Sequence, residues 1–224
     1  RLLAGDARER DGGATVMSDG TAIEWADATW NPLKISTHRW YCEKISPGCD
    51  NCYASTFNRR MGGEQYPTVR QAAVAVPLPV FPSLDERTLA QVATWKKPRR
   101  VFVCSMTDLF GEWVTFPEIN RIFEAMLATP QHQYLVLTKR PRMMLDFLEN
   151  RRDWLADQPG SMGHPSWPQN VWAGVTVEQD RFAWRADLLR AVPAAVRFIS
   201  AEPLLGPLPS LNLRGIHWLI SGGE

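Results

Sequence analysis

Several features that would assign a protein class at once are scarce in this sequence. Four cysteines in 224 residues are too few for a disulfide-rich scaffold, and 15 glycines and 17 prolines are too few for a collagenous or low-complexity chain. The 25 lysines and arginines nearly balance the 24 aspartates and glutamates, so the net charge of +1 gives no global reason to expect nucleic acid or an anionic membrane as partner. The content of 45% apolar residues is that of an ordinary globular protein.

Long hydrophobic runs are also missing. The longest nearly apolar run, residues 72–81, is interrupted by Pro77 and Pro79 and is too short to span a bilayer. The N-terminal stretch is polar and has no apolar region typical of a signal peptide. We therefore expect a cytoplasmic protein without a membrane partner. The sequence also lacks a phosphate-binding P-loop, a nucleophile elbow and a zinc-protease helix.

The chain divides into a short extension and one large domain. Residues 1–19 are charged and small and show no hydrophobic periodicity, so we expect a disordered N-terminal extension, in which Met17 is a candidate start residue. Residues 20–224 have the length of a single domain with a substantial core.

Within this domain, apolar runs alternate with amphipathic stretches. The runs predict strands at residues 101–104, 134–138, 171–177, 197–200 and 218–221, with a weaker pair at 30–35 and 74–80. The stretches predict helices at residues 83–95, 117–128, 141–149 and 181–191, and residues 157–169 read as a surface loop. This alternation predicts a parallel α/β architecture. Seven candidate strands without a glycine-rich dinucleotide fingerprint favour a TIM-like (β/α) barrel, complete or open, over a Rossmann sheet.

Polar residues follow the predicted strands at their C-terminal ends. Each of the last five strands ends near a hydroxyl residue and a charged residue, and residues 222–224 (Gly-Gly-Glu) follow the last one. Because these ends build the active site in such barrels, we expect a polar ligand pocket there. Its predicted lining is Ser105, Asp108, Thr138, Lys139, Glu178 and Glu202, with no catalytic residue assigned among them. The alternative is that the strands simply end in solvated polar residues.

The most specific feature is a cluster of three cysteines, Cys42, Cys49 and Cys52, spaced C-x6-C-x2-C. A C-x2-C pair can bring two thiolates to one metal centre, and the turn predicted at residues 46–48 returns the first cysteine toward them. We expect this loop to follow the first strand, at the same end of the barrel as the polar pocket.

Two metal centres fit this spacing. A structural zinc would need a fourth ligand, for which His38 and Cys104 are candidates. A [4Fe–4S] cluster held by three thiolates would keep one iron open for a substrate or cofactor. The position of the loop beside the pocket favours the cluster, because a structural zinc would have no reason to face a ligand site.

The cysteine loop and its flanks also carry a family resemblance. Residues 21–25, 29–32 and 44–54, and later 101–110, 137–141, 171–178, 198–205 and 218–224, resemble the phage gene-product thirty-seven/sixty-eight family of bacteria and phages. Its members are often encoded beside a three-Cys-motif partner protein, which the resemblance implies as a partner. The cysteine motif and the barrel in turn resemble the radical S-adenosylmethionine (SAM) superfamily, although the first gap here is six residues where the commonest motif of that superfamily has three.

The resemblance implies a cofactor set and a chemistry. Cys42, Cys49 and Cys52 would hold a [4Fe–4S] cluster whose open iron chelates SAM. Reductive cleavage of SAM would then give a 5'-deoxyadenosyl radical that abstracts hydrogen from a substrate. The phage setting suggests nucleic acid as one such substrate.

A different class of function uses the same residues. Basic runs at residues 59–60, 96–100 and 139–142, together with ten tryptophans, are compatible with a nucleic-acid-binding protein that carries a structural zinc. Against this alternative, basic runs at a net charge of +1 read equally as solvated helix ends, and several tryptophans lie in strand-like contexts typical of a core.

Overall fold

The computed structural model describes residues 21, 23–75, 79–157 and 166–222. The extension predicted at residues 1–19 and most of the loop predicted at 157–169 lie outside these residues. The strands are β1 (Ala28–Trp30), β2 (Leu33–Lys34), β3 (Ser83–Leu84), β4 (Arg100–Val103), β5 (Gln133–Thr138), β6 (Val171–Thr176), β7 (Arg197–Ala201) and β8 (Trp218–Ser221). The helices are α1 (Tyr53–Arg60), α2 (Val69–Ala73), α3 (Glu86–Gln91), α4 (Phe116–Leu127), α5 (Pro141–Asp157) and α6 (Trp184–Leu189).

Six of the strands form one parallel sheet. Its order is β1-β4-β5-β6-β7-β8, and every neighbouring pair is parallel, while β2 and β3 form a separate antiparallel pair. The prediction of a parallel α/β architecture is therefore confirmed. The order follows the chain without reversal, so this sheet has no topological switch point of the kind found in doubly wound folds. In the part of the chain that the structure describes, β1 and β8 do not pair, and the sheet is open.

The two faces of the sheet are covered differently. One face belongs to the main core, where Val103 and Val136 pack with helix residues such as Phe123 and Phe147. The opposite face holds a smaller cluster of Leu135, Phe198 and Ile220, against which Trp25, Leu137, Trp172 and Trp218 pack. Helices α3, α4, α5 and α6 contribute residues to the main core and none to that smaller cluster, so these four helices cover one face of the sheet. None of the described helices is long and apolar enough to cross a membrane.

The five later strand predictions are confirmed, and the two earlier ones are not. The run at residues 30–35 is split, because β1 ends at Trp30 and Pro32 separates it from β2. At residues 74–80, the described positions contain no strand. The helix α2 ends at Ala73 just before them, and residues 76–78 lie outside the description.

The four predicted helices are present with different bounds. The helix predicted at 117–128 is Phe116–Leu127, and the one predicted at 181–191 is shorter, Trp184–Leu189. The helix predicted at 83–95 begins at Glu86, because Asp85 caps it by accepting a hydrogen bond from the Thr88 amide at 2.8 Å. The helix predicted at 141–149 continues to Asp157. Its polar second half is held by Arg151, which is fully buried and donates hydrogen bonds to the Asn120 side chain at 2.9 Å and to Glu124 at 2.7 Å.

Candidate functional site

The cysteine loop, residues 42–52, connects the β2 region to α1. The predicted turn is present: Pro47–Cys49 form a short 3-10 turn in which the Cys49 amide donates to the Ser46 carbonyl at 2.9 Å. Cys52 stands immediately before the first residue of α1. The turn therefore reverses the chain between the first cysteine and the other two, as its Ser-Pro-Gly sequence predicts.

Gly48 fixes this loop on the ends of two sheet strands. A side chain at this position would place a Cβ atom 3.1 Å from Cγ of Glu178, after β6, and 3.3 Å from Cδ of Pro203, after β7. Both distances are at the tight end of van der Waals contact. Because glycine has no Cβ, the loop can approach the carboxyl ends of β6 and β7 this closely.

A cavity of about 460 Å³ lies between the loop and the carboxyl ends of the parallel strands. Eight of the nine predicted site residues line it: Cys42, Cys49, Cys52, Ser105, Asp108, Thr138, Lys139 and Glu202. The ninth, Glu178, is absent from the lining and is fully buried beneath the loop. A cavity is therefore present at the predicted strand ends, and Glu178 lies behind its wall, against Gly48.

The turn after β4 is held in an unusual backbone conformation. Cys104, its first residue, has φ of 55°, in the left-handed region that non-glycine residues seldom adopt. The side chain of Asn31, after β1, accepts a hydrogen bond from the Met106 amide at 3.0 Å and bonds the Ser105 hydroxyl at 3.1 Å. These bonds hold Ser105 at the cavity wall and tie β4 to β1.

Two tyrosines tie the same turn to the far side of the cysteine loop. The Tyr53 hydroxyl donates to the Ser105 carbonyl at 2.9 Å, and the Tyr66 hydroxyl donates to the Met106 carbonyl at 2.6 Å. Cys42 and Cys52 pack against one small cluster that contains Tyr66 and Met106. The cysteine loop and the turn after β4 thus form a single wall of the cavity.

Arg140 is a residue of this site that sequence reasoning missed. It is buried, lies 3.4 Å from the Glu43 carboxylate and 3.5 Å from the Asp108 carboxylate, and stacks 4.6 Å above the Trp113 ring. The only signal was its place beside Lys139 in a run after β5. Lys139 lines the cavity, and among the described residues no acidic side chain pairs with it.

Burial favours the neutral form of two of the four thiols, those of Cys42 and Cys104. Burial raises the pKa of the Cys42 thiol to about 12, and the Asp108 carboxylate acts in the same direction. Burial likewise raises the pKa of the Cys104 thiol. A bound metal centre would supply the positive charge that stabilises a thiolate at such a position. All four cysteines are free.

The residues described do not converge on a single ion. Among them, no group of three or more His, Cys, Asp or Glu side chains could hold one metal ion in common. Of the two residues proposed as a fourth zinc ligand, His38 is exposed and Cys104 is buried at the cavity wall.

The cavity wall combines polar and apolar parts. Hydroxyls of Thr176 and Ser200 and the carboxylate of Glu202 lie on one side, and the rings of Trp25 and Phe102 line another. Such a cavity can bind a ligand that has both charged and aromatic or aliphatic parts.

Comparison with known proteins gives one match. The family model described as "Protein of unknown function (DUF5131)" matches residues 20–224, which include every described element and the whole cavity lining. No curated protein and no solved structure matches the chain.

Proposed function

The chain belongs to the DUF5131 family, and because that family carries no assigned activity, we propose a function from the site itself. The protein is an enzyme of the radical SAM type: Cys42, Cys49 and Cys52 hold a [4Fe–4S] cluster, and SAM binds in the cavity beside it. The observation that carries this proposal is that three free cysteines of one loop line a single cavity together with the polar strand ends.

The donor set fits a cluster better than a single ion. In a [4Fe–4S] cluster each cysteine binds a different iron atom, so the sulfurs surround the group without meeting at one point. A structural zinc requires four ligands at one centre, whereas the loop supplies three cysteines. Soft thiolate donors also suit iron–sulfur chemistry.

The topology supports a partial form of the (β/α) barrel. A sheet whose strand order follows the chain, with helices α3, α4, α5 and α6 on one face, has the arrangement of consecutive barrel units. A cavity at the carboxyl ends of the strands is where barrel enzymes bind their substrates. The resemblance to the phage gene-product thirty-seven/sixty-eight family and to the radical SAM superfamily points the same way, and a three-Cys-motif protein is the partner we propose on that basis.

When bound, the cluster and SAM would supply one-electron chemistry that no side chain can provide. The chain's own residues bind and orient the ligands. The Ser105 and Ser200 hydroxyls and the Lys139 ammonium group face the cavity and are suited to polar or anionic groups of a ligand, and Glu202 is suited to a cationic group. The rings of Trp25 and Phe102 reduce the water around the reacting atoms.

Anaerobic reconstitution with iron and sulfide tests the proposal. The wild-type chain should bind about four iron atoms and, once reduced, should convert SAM to 5'-deoxyadenosine, measured by liquid chromatography. Replacing Cys42, Cys49 or Cys52 by Ala should abolish the electron paramagnetic resonance signal of the cluster. Cys104→Ala is the matched control and should keep it, because this buried cysteine lies outside the C-x6-C-x2-C motif. One zinc and no iron per chain would instead support the zinc alternative.

Nucleic acid is the substrate class that a second observation favours. Arg59 and Arg60 are exposed on α1, directly after the cysteine loop, and within the described residues neither has an acidic partner. Exposed arginines without acidic partners attract phosphate groups. Fluorescence anisotropy with a labelled single-stranded oligonucleotide should show binding that weakens with salt and weakens further in an R59E/R60E variant.

A further inference from the structure

A buried ion pair lies directly beneath the cysteine loop. Glu178 follows β6, Arg185 belongs to α6, and the Arg185 Nη1 atom donates to the Glu178 carboxylate at 3.0 Å. Glu178 is 0% exposed and Arg185 is 2% exposed. Burying two charges carries a large desolvation cost that their mutual attraction only partly offsets. Stabilisation of the fold is therefore not a sufficient reason for the presence of this pair.

The guanidinium group is held in one position. It donates a second hydrogen bond to the Thr176 carbonyl at 2.9 Å and stacks 4.2 Å above the Phe182 ring. Each partner nevertheless has one buried polar atom with no hydrogen bond among the described residues, Oε1 of Glu178 and Nε of Arg185. The pair thus retains one hydrogen-bond acceptor and one donor that the described residues leave unsatisfied.

The pair also touches the loop that carries the cysteines. Gly48 lies against the Glu178 side chain, since a Cβ atom at position 48 would be 3.1 Å from Cγ of Glu178. The Glu178 carbonyl accepts a hydrogen bond from the Leu205 amide at 2.9 Å. Gly48 is the residue directly before Cys49, so its contact with the Glu178 side chain places the ion pair next to one of the three loop cysteines.

We propose that Arg185 is a positioning residue that sets the reduction potential of the cluster through Cys49, and that Glu178 opposes its effect. This inference rests on the proposed function. One electron passes from a low-potential donor such as dithionite to the cluster, no bond forms or breaks, and no proton moves. The added electron increases the negative charge beside three thiolates. A buried cation near one of them stabilises the reduced form, and a buried anion destabilises it.

Two single variants distinguish this role from a structural one. In the reconstituted chain, E178Q leaves the guanidinium unopposed and should make the midpoint potential more positive, whereas R185M leaves the carboxylate unopposed and should make it more negative. Each shift should change the ratio of reduced to oxidised cluster at least tenfold at the wild-type midpoint, which corresponds to 59 mV for one electron. R185K keeps the charge and should stay near the wild type. Damage to the fold would not move the two potentials in opposite directions.

The outcomes separate the two proposals. If the wild-type chain takes up no iron, the proposed function fails, and this inference fails with it. If it takes up iron but E178Q and R185M leave the potential unchanged or move it in the same direction, only this inference is overturned. Should R185M not fold, as circular dichroism would show, E178Q decides alone, and a wild-type potential in folded, iron-loaded E178Q overturns the proposal.

Discussion

The Thr138 hydroxyl donates a hydrogen bond of 2.7 Å to the Asp108 carboxylate and so joins the end of β5 to the turn after β4. The same carboxylate accepts from the Phe110 amide at 3.0 Å and from the Lys139 amide at 3.1 Å. With these partners, Asp108 braces the cavity wall.

The first prediction concerns this brace. Asp108→Ala leaves two buried amides and a hydroxyl without their acceptor, and we expect it to lower the free energy of unfolding by about 3 kcal/mol. Thr138→Val removes two hydrogen bonds, the one to Asp108 and the one that the Thr138 hydroxyl accepts from the Arg140 amide at 2.8 Å, and should cost about 2 kcal/mol. Urea denaturation measures both. The double variant should lose less unfolding free energy than the sum of the two single losses, because the two residues share a hydrogen bond. If the losses are strictly additive, the two residues do not stabilise the cavity wall as a unit.

The second prediction separates two neighbouring cations at the cavity. Arg140→Met leaves the buried carboxylates of Glu43 and Asp108 without their ion pair and should cost about 3–5 kcal/mol of unfolding free energy. Lys139→Met is the matched control. Because Lys139 has no acidic partner among the described residues, its replacement should change stability by less than about 0.5 kcal/mol. Equal losses in the two variants would contradict the assignment of Arg140 as the structural cation.

The location of the cavity could be predicted because it depends on a local regularity. Parallel strands end at one edge of a sheet, so a polar residue after each strand must lie near its counterparts, as Ser105, Thr138 and Glu202 do. The turn within the cysteine loop could be predicted for the same reason, because its Ser-Pro-Gly sequence is a local signal. Glu43 and Arg140, in contrast, are 97 positions apart in the chain. No local sequence pattern predicts such a pair, because the two residues meet only in the folded protein.

Glu178 shows the limit of that regularity. It stands two residues after its strand, as Ser105 does, yet it points beneath the cysteine loop, where it pairs with Arg185. Sequence alone does not tell which strand end is covered by a loop, because that depends on the close approach of Gly48. The strand predicted at 30–35 is split into β1 and β2 around Pro32. The described part of 74–80 contains no strand, because apolar composition does not distinguish a strand from a short helix or a turn.

The third prediction concerns the sheet face opposite the helices. Gly174 of β6 pairs with Phe198 of β7, and a Cβ atom at position 174 would overlap the Phe198 ring. We expect Gly174→Ala to lower the free energy of unfolding by about 2 kcal/mol, because the ring must leave its place. In a Phe198→Leu background the same substitution should cost less, since the smaller side chain makes room. Thermal or urea unfolding of the four proteins measures this coupling, and an undiminished cost in that background would rule out the steric explanation.

The fourth prediction is a pH dependence at the start of the sheet. Asp27 accepts hydrogen bonds from the Arg100 side chain at 3.2 Å and from the Arg100 amide at 2.7 Å, and these bonds hold the pKa of Asp27 below its ordinary value. A carboxyl group whose pKa is lower in the folded state stabilises the fold above its unfolded pKa of about 3.9 and loses this effect as the pH falls through the folded value.

Both side chains of this pair are nearly half exposed, at 47% for Asp27 and 43% for Arg100, so solvent screens the interaction. We expect Asp27→Asn to be less stable than the wild type by about 0.5–1 kcal/mol at pH 7. The difference should persist at pH 5 and shrink below about pH 4, where the wild-type carboxylate becomes protonated. Urea titrations of both proteins at pH 7, 5 and 3.5 measure it. A gap that widens toward pH 3.5 would have the wrong sign for a carboxylate stabilised by Arg100.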